Sequence, residues 1–356
     1  MTALRLLAGP AARRRIGTHG LRAGDVSAVA AAAGGPKGLA LLPLDRWLFG
    51  TWLPGSPRPR SLFGASIGAW RMAGAAQRDP LAALARLEHA YLDGQRYPRS
   101  PSTGTVSRVC RQITRELIGA DAAAFVGALN PDMNLQVVTA RAPAGRYPRP
   151  FFAQAALANT VSRQRLAAHL ERVVFSSAGA TPSPAVPPDR FGARTVALTP
   201  ANLEDALLAS GSIPLIADPV KTIAGAPAGD YWDGGLIDYH LHWRYAALDG
   251  VVLIPHFVGH LTAGWLDKFL PWRRHGVGQA GRQWLDNVLI VAPSAALLAR
   301  LPGGRLPDRR DFHRYGTDHD RRLRDWRRAI GECERLADAF AGFCEAPQRV
   351  PLEPLP

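Results

Sequence analysis

The chain has few cysteines and no pattern that joins them. Its 356 residues contain three cysteines and no CxxC pair, which excludes a closed set of disulfide bonds. Cys333 and Cys344 fall in a segment of helical composition, on one face but too far apart along the axis to be bridged. We therefore expect a reducing, cytoplasmic compartment.

Long hydrophobic runs are also missing. No apolar run reaches the 18 or so residues that span a membrane, and the uncharged stretch 251–266 is interrupted by Pro255, His256 and His260. The apolar pieces at the N-terminus are too short for a secretory signal. We expect residues 1–24, which are rich in arginine, to form a basic solvated arm.

Acidic residues and lysines are both scarce relative to arginine. The chain has 43 basic and 29 acidic residues, a net charge of +14, and its lysines are Lys37, Lys221 and Lys268 alone. Such charge favours an anionic partner, although a codon bias towards arginine explains it equally well. Aromatic residues do not alternate regularly with the arginines and no helix-turn-helix pattern occurs, so no nucleic-acid partner is expected.

Short apolar runs alternate with segments of helical composition. Strands are predicted over residues 25–33, 60–65, 135–141, 172–176, 195–198, 250–255 and 287–292. Helices are predicted over residues 37–49, 67–76, 81–92, 106–129, 159–170, 201–209 and 318–344. This alternation predicts an α/β fold with a mostly parallel sheet. We expect a main domain over residues 25–300 and a helical C-terminal extension over residues 301–356 that packs on it.

A candidate nucleophile lies in the motif Gly64-Ala65-Ser66-Ile67-Gly68. The motif follows a predicted strand and precedes a predicted helix, which is the context of a nucleophile elbow. Glycines two residues to either side allow a sharp turn, and they leave Ser66 exposed at a helix N-terminus. The alternative is an ordinary glycine-rich turn between a strand and a helix.

A second glycine-rich loop, Ala33-Gly34-Gly35-Pro36-Lys37-Gly38, also joins a strand to a helix. Its backbone N–H groups could bind a phosphate or the oxyanion of an acyl transfer. Pro36 has no N–H, so the available donors are those of Gly34, Gly35, Lys37 and Gly38. The spacing fits neither a P-loop nor a dinucleotide-binding fingerprint.

A candidate base, Asp233, stands in the motif Asp233-Gly234-Gly235, which is also a common tight-turn sequence. A serine nucleophile usually has a histidine partner, and four histidines follow Asp233. They are His240, His242, His256 and His260. Too few strands precede Ser66 for an α/β-hydrolase, so we interpret these histidines as structural.

Taken in order, these motifs resemble the patatin-like phospholipase family. The resemblance covers about residues 26 to 240 and includes the Ala-Ser-x-x-x-Pro segment that runs from Ala209 to Pro214. The chain departs from the family's usual Asp-Gly-Gly-Gly loop, because Ala32 and Ala33 replace its first two residues.

The resemblance implies a patatin-like fold, with a central, mostly parallel sheet between helices, and a lipid acyl hydrolase that uses a Ser-Asp dyad without histidine. It assigns the nucleophile to Ser66, the base to Asp233 and the elbow to Gly64 and Gly68. It assigns the oxyanion donors to four residues of the loop: Gly34, Gly35, Lys37 and Gly38. No metal or organic cofactor is implied.

The expected partner is a phospholipid or another acyl ester, with peripheral contact to an anionic membrane through arginines of residues 1–24 and 300–328. Two alternatives stay open. One is an esterase or thioesterase with a triad through His256 or His260, and the other is a basic membrane- or nucleic-acid-binding protein without activity.

Overall fold

One sheet of ten strands runs through the molecule, which we describe from a computed structural model that covers residues 2–145, 148–273 and 279–355. Its strands are β1 (Leu4–Ala8), β2 (Val26–Ala31), β3 (Arg60–Ala65), β4 (Met133–Ala142), β5 (Glu171–Ser176), β6 (Arg194–Ala197), β7 (Asp230–Asp233), β8 (Val251–Pro255), β9 (Val288–Pro293) and β10 (Leu352–Pro354). Their order is β10-β1-β9-β8-β2-β3-β4-β5-β6, and β7 pairs with β4. Six strand pairs are parallel and three antiparallel, which confirms the predicted α/β class with a mostly parallel sheet.

Helices flank the sheet. They are α1 (Pro10–His19), α2 (Leu42–Trp47), α3 (Ile67–Ala75), α4 (Pro80–Gly94), α5 (Thr103–Ile118), α6 (Ala122–Gly127), α7 (Pro148–Val161), α8 (Arg163–Leu166), α9 (Leu203–Gly211), α10 (Gly235–Asp238), α11 (Gln279–Gln283), α12 (Ala295–Leu298), α13 (Arg310–Tyr315), α14 (His319–Glu332) and α15 (Glu334–Glu345). One face of the sheet packs on the longer helices, which include α3, α4, α5, α9, α14 and α15. The other face packs on α7, α8, α10 and the irregular segment 239–248.

The helix predicted over residues 37–49 is replaced by three short helical pieces. A 3₁₀ helix covers Gly35–Leu41, α2 follows, and a π-helical turn covers Leu48–Trp52. Pro43 has no N–H to donate to the carbonyl four residues earlier, so a continuous α-helical hydrogen-bond ladder cannot cross this point.

Two other predicted helices are each divided in two. The helix predicted over residues 106–129 ends at Gly119, whose φ of +87° closes α5, and α6 restarts where the Asp121 side chain accepts a hydrogen bond from the Ala123 N–H. The helix predicted over residues 318–344 is broken at Cys333, between α14 and α15. Local backbone conformation therefore divides segments whose composition is helical throughout.

Residues 1–24 do not form the solvated arm that we expected. Strand β1 lies inside the sheet, antiparallel to β9 and parallel to β10, and its Leu4, Leu6 and Leu7 side chains are buried. Of the arginines that suggested an arm, Arg13, Arg14 and Arg15 lie on the solvent face of α1, Arg5 lies on β1, and Arg22 follows α1. The segment 301–356 likewise adds β10 to the same sheet, and α15 packs on α2, β1 and β9.

Candidate active site

Strand β4 positions the site, because two other strands that pair with it, β3 and β7, end at neighbouring residues. Strand β3 runs parallel to β4 and its last residue, Ala65, pairs with Val138. Strand β7 runs antiparallel to β4 on the same side and its last residue, Asp233, pairs with Thr139. Because Val138 and Thr139 are neighbours, the ends of β3 and β7 meet head to head. Ser66, which follows Ala65, is thereby brought to Asp233.

The two predicted dyad residues are in direct contact. The Ser66 hydroxyl donates a hydrogen bond of 2.7 Å to Oδ2 of Asp233. The other carboxylate oxygen, Oδ1, accepts a 2.7 Å bond from the N–H of Gly235 at the start of α10. One oxygen is thus held by the backbone and the other faces the serine. Both side chains are nearly buried, with 4% and 5% of their residue surfaces exposed.

Ser66 occupies a strained backbone conformation, with φ of +57° and ψ of −131°. Few non-glycine residues adopt positive φ, and such strain concentrates at functional sites. Neighbouring backbone atoms approach Gly64 and Gly68 so closely that only a residue without a Cβ fits there. A Cβ on Gly68 would lie 1.9 Å from the Ala31 carbonyl oxygen, and one on Gly64 would lie 2.5 Å from Cα of Ala69. The turn therefore excludes any larger residue at these two positions.

The end of α9 and the residue that follows it hold both Ser66 and Asp233. The Ser210 hydroxyl accepts a 2.9 Å hydrogen bond from the Ser66 N–H and donates a 2.7 Å bond to the carbonyl of Val138. The carbonyl of Ser212 accepts a bond from the N–H of Asp233. The Ala-Ser-x-x-x-Pro segment thus fixes Ser66 and Asp233 relative to β4.

The glycine-rich loop lies beside Ser66 and Asp233. A helix begins within this loop, and it reduces the number of N–H groups that are free to bind an oxyanion. In a 3₁₀ helix that starts at Gly35 with Gly34 as its N-cap, the i→i+3 pattern engages the N–H groups of Lys37 and Gly38. The N–H groups of Gly34 and Gly35 precede the first bond of that pattern. Of the four predicted donors, the geometry therefore favours Gly34 and Gly35 and disfavours Lys37 and Gly38.

Three of the four histidines considered for a triad, His240, His242 and His256, form hydrogen bonds elsewhere. Nδ1 of His240 accepts from the Thr262 N–H, Nδ1 of His256 contacts the carbonyl of Val258, and Nε2 of His242 contacts the carbonyl of Gly281. Burial lowers the pKa of His256 to about 3 and that of His242 to about 4, and it also lowers that of His240. Over residues 2–145, 148–273 and 279–355, no hydrogen bond joins a histidine to Ser66 or Asp233.

An apolar cavity of about 300 Å³ opens at Ser66. Its wall comes mainly from α3, α4, α5 and the segment after α9. Hydrophobic side chains dominate it, among them Trp70, Tyr91, Tyr97, Val106, Ile113 and Ile216. A volume of this size, reached directly from the serine hydroxyl, suits a hydrocarbon chain better than a polar group.

A second cavity, of about 610 Å³, opens at Asp233 and Gly34. Four basic side chains line it: Lys37, Lys268, Arg309 and Arg310. Of the four, sequence reasoning connected only Lys37 with the site, through its backbone N–H in the glycine-rich loop. Lys268, Arg309 and Arg310 stand in no distinguishing motif. Arg309 lines both cavities.

Burial raises the pKa of Asp233 above the usual aspartate range. The hydrogen bond from Ser66, the positive charge of Arg309, the N–H of Gly235 and the charge of Lys268 act in the opposite direction. A raised pKa makes the carboxylate a stronger base than a free aspartate, which is what proton removal from a hydroxyl requires.

No known family profile matches the chain, and no curated protein is significantly similar to it. Within the described parts of the chain, no group of three histidine, cysteine, aspartate or glutamate side chains is arranged to hold a metal ion. The same residues include no helix long and apolar enough to cross a bilayer.

Proposed function

We propose that this protein is a lipid acyl hydrolase of the patatin-like type that works through a Ser66–Asp233 dyad. The observation that carries the proposal is the 2.7 Å hydrogen bond from the hydroxyl of a strained, buried serine to a buried carboxylate. The neighbouring N–H groups of Gly34 and Gly35 and the apolar cavity support it.

In the proposed mechanism, Oγ of Ser66 attacks the ester carbonyl while Oδ2 of Asp233 takes the hydroxyl proton. The N–H groups of Gly34 and Gly35 stabilise the negative charge on the carbonyl oxygen. Collapse of this intermediate breaks the ester C–O bond, and the proton passes from Asp233 to the departing alcohol. Asp233 then takes a proton from water, which attacks the acyl-serine. The bond to Oγ of Ser66 breaks, Asp233 returns the proton to Oγ, and the fatty acid is released.

The surroundings of the two cavities suit a lipid substrate. Leu215 and Ile216, which line the apolar cavity, are exposed, and so is Phe269 at the basic cavity. Large apolar side chains that remain in water at the entrance of a site favour contact with a lipid surface. We propose peripheral contact with an anionic membrane at this entrance, with a phospholipid or another acyl ester as substrate.

A fluorophosphonate probe tests the dyad directly, because it labels only activated serines. We expect labelling of the wild-type protein at Ser66, none in Ser66→Ala, and a rate about 10²–10⁴-fold lower in Asp233→Asn, which removes the general base. Ser61→Ala on β3 and Asp230→Asn on β7 are matched controls and should label like wild type. Full labelling of Asp233→Asn would refute the dyad.

The alternatives are separated in the same experiment. An esterase with a triad would lose labelling in His256→Ala or His260→Ala, whereas a dyad enzyme retains most of it. A wild-type protein that neither labels nor cleaves a panel of lipid and nitrophenyl esters would favour the non-enzymatic binding protein.

A further inference from the structure

The apolar cavity has a buried charge in its wall. Three arginines line it, Arg99, Arg309 and Arg322, and none of its lining residues in the described parts of the chain is an aspartate or a glutamate. Arg99 is exposed and Arg309 is partly buried, whereas Arg322 on α14 has 0% of its surface exposed. A charge that is removed from water is costly unless it is paired, so Arg322 is an unusual residue in this wall.

Most of the hydrogen-bonding capacity of the Arg322 guanidinium is unused. Its Nη2 donates to the carbonyl of Gln95, just after α4. Its Nε and Nη1 are buried and have no hydrogen-bond partner within residues 2–145, 148–273 and 279–355. The rings of Phe312 and Trp326 lie against the guanidinium, with their centres 4.7 and 5.2 Å from Cζ. These rings fix its position, but they do not neutralise its charge.

Arg322 also has no carboxylate partner, since it forms no ion pair with any residue that the structure describes. The carboxylate of Asp311 acts on it from a greater distance, and its oxygens already accept hydrogen bonds from three other side chains. These side chains are Arg305, Arg314 and Trp326. Burial lowers the pKa of Arg322, which is the direction expected for a cation that lacks a counter-ion.

The guanidinium belongs to a small polar patch on one wall of the cavity. The Tyr97 hydroxyl donates a long hydrogen bond of 3.4 Å to Oε1 of Gln95, so that Tyr97, Gln95 and Arg322 are joined, and all three line the cavity. Ser66 faces the same cavity from another wall, at the start of α3. The cavity thus has a candidate nucleophile on one wall, a cationic patch on another and mainly hydrophobic side chains elsewhere.

Resting on the proposed function, we propose that the acyl chain of the substrate ends in a carboxylate, which binds Arg322 while the ester carbonyl lies at Ser66. The methylene groups of the chain contact the hydrophobic wall, and the terminal carboxylate accepts charge-assisted hydrogen bonds from the guanidinium. A carboxylate fits better than a hydroxyl, because it supplies the missing negative charge as well as acceptor oxygens. Hydrolysis consumes one water molecule and releases an alcohol and a dicarboxylate.

Pairs of esters with matched shapes test this proposal. Mono-nitrophenyl esters of adipate, suberate and sebacate are each compared with the ester in which an isopropyl group replaces the terminal carboxylate. For the best of the three lengths, we expect wild type to have a kcat/KM about tenfold or more higher for the carboxylate ester, and Arg322→Met to lose this preference. Both esters are measured on one sample, so the ratio does not depend on the folded fraction of a variant. A ratio near one at all three lengths in wild type would refute the proposal.

Two further variants separate recognition of the carboxylate from a structural role of Arg322. Arg324→Met is the matched control, because Arg324 is exposed on the same helix, and its ratio should equal that of wild type. Arg322→Lys keeps the charge with fewer N–H groups, so its ratio should lie between those of wild type and Arg322→Met. A wild-type ratio in Arg322→Met would overturn the contact. If esters that end in a hydroxyl are cleaved as well as those that end in a carboxylate, the proposed substrate class is wrong.

Binding without cleavage separates the carboxylate subsite from the hydrolase. Calorimetry on Ser66→Ala should show binding of the monomethyl ester of at least one of the three diacids, and adding Arg322→Met should weaken it about tenfold or more. If this holds while no ester is cleaved, the subsite stands and the proposed function falls. If esters are cleaved but none of the three monomethyl esters binds, the proposed function stands and the subsite falls. If acetate binds as tightly as these esters, the site takes any small carboxylate and the proposed substrate class is wrong.

Discussion

At the scale of single residues, the backbone of Ser66 gives the clearest expectation. Its positive φ costs a non-glycine residue about 1–3 kcal/mol, and the hydrogen bond between Ser210 and the Ser66 N–H holds it there. The strain places the hydroxyl above the turn, in contact with Asp233. A residue with no Cβ would adopt the same conformation without that cost.

We therefore predict that Ser66→Gly is more stable than Ser66→Ala by about 1 kcal/mol, although both lack the hydroxyl. Denaturant unfolding of the two variants measures the difference. Ser61, in the extended strand β3, provides the control, and there glycine should be the less stable by about 0.5–1 kcal/mol. If glycine is less stable than alanine at position 66 as well as at position 61, the backbone of Ser66 is not strained.

The contact between Ser66 and Asp233 could be predicted from sequence, whereas the positions of Lys268, Arg309 and Arg310 in the basic cavity could not. Ser66, Asp233 and the glycine loop stand in short motifs whose spacing within the chain reflects a local turn. Arg309 and Lys268 reach the site only through tertiary packing, and nothing in their neighbouring sequence separates them from the other 41 basic residues. The sequence also did not predict that a 3₁₀ helix would engage the N–H groups of Lys37 and Gly38.

At the scale of secondary-structure elements, the contact of α3 with β2 depends on Gly68. The helix starts so close to the end of β2 that a methyl group there would overlap the carbonyl of Ala31. Backbone atoms on both sides prevent relief by a side-chain rotation. Helix α3 therefore has to move away from the sheet if Gly68 is replaced, and Ser66 at its N-terminus moves with it.

We predict that Gly68→Ala destabilises the protein by at least about 3 kcal/mol and abolishes fluorophosphonate labelling. Gly331→Ala is the matched control. Gly331 lies on the exposed face of α14, a Cβ there meets nothing within 4 Å, and alanine should stabilise that helix by about 0.5–1 kcal/mol. Thermal unfolding measures both changes. A mild effect of Gly68→Ala would contradict the close approach.

Elements with a strong local signal were predicted well. Strands β2, β3, β4, β5, β8 and β9 fall within a few residues of the apolar runs that indicated them. Strand β10 was missed because it has only three residues, and β1 because its partners lie far along the chain and it stands in an arginine-rich segment. The divided helices were missed because the breaks at Gly119 and Cys333 depend on local backbone conformation that composition does not reveal.

At the scale of the whole molecule, the sheet is completed by its two outer segments. Strand β1 packs between β9 and β10, with Leu4 and Leu6 in the core on one face of the sheet and Leu7 in the core on the other. On its exposed side, Arg5 forms an ion pair with Glu353 of β10. The N-terminal segment is thus part of the folded unit rather than an appendage to it.

We predict that Leu6→Ala lowers the free energy of unfolding by about 2–5 kcal/mol, because it leaves a cavity in the core. Arg5→Ala, one residue away, removes only an exposed ion pair and should cost less than about 1 kcal/mol. Urea unfolding of the two variants provides the comparison. Similar small effects in both would mean that residues 1–24 are a solvated arm after all.

The position of β1 also has a consequence for how the chain folds during synthesis. Strand β1 leaves the ribosome about 280 residues before β9, its antiparallel partner. At roughly 5–20 residues per second, its leucines wait roughly 15–60 s with no partner strand to cover them. The nascent chain therefore exposes these leucines to water until residues 288–293 have been synthesised.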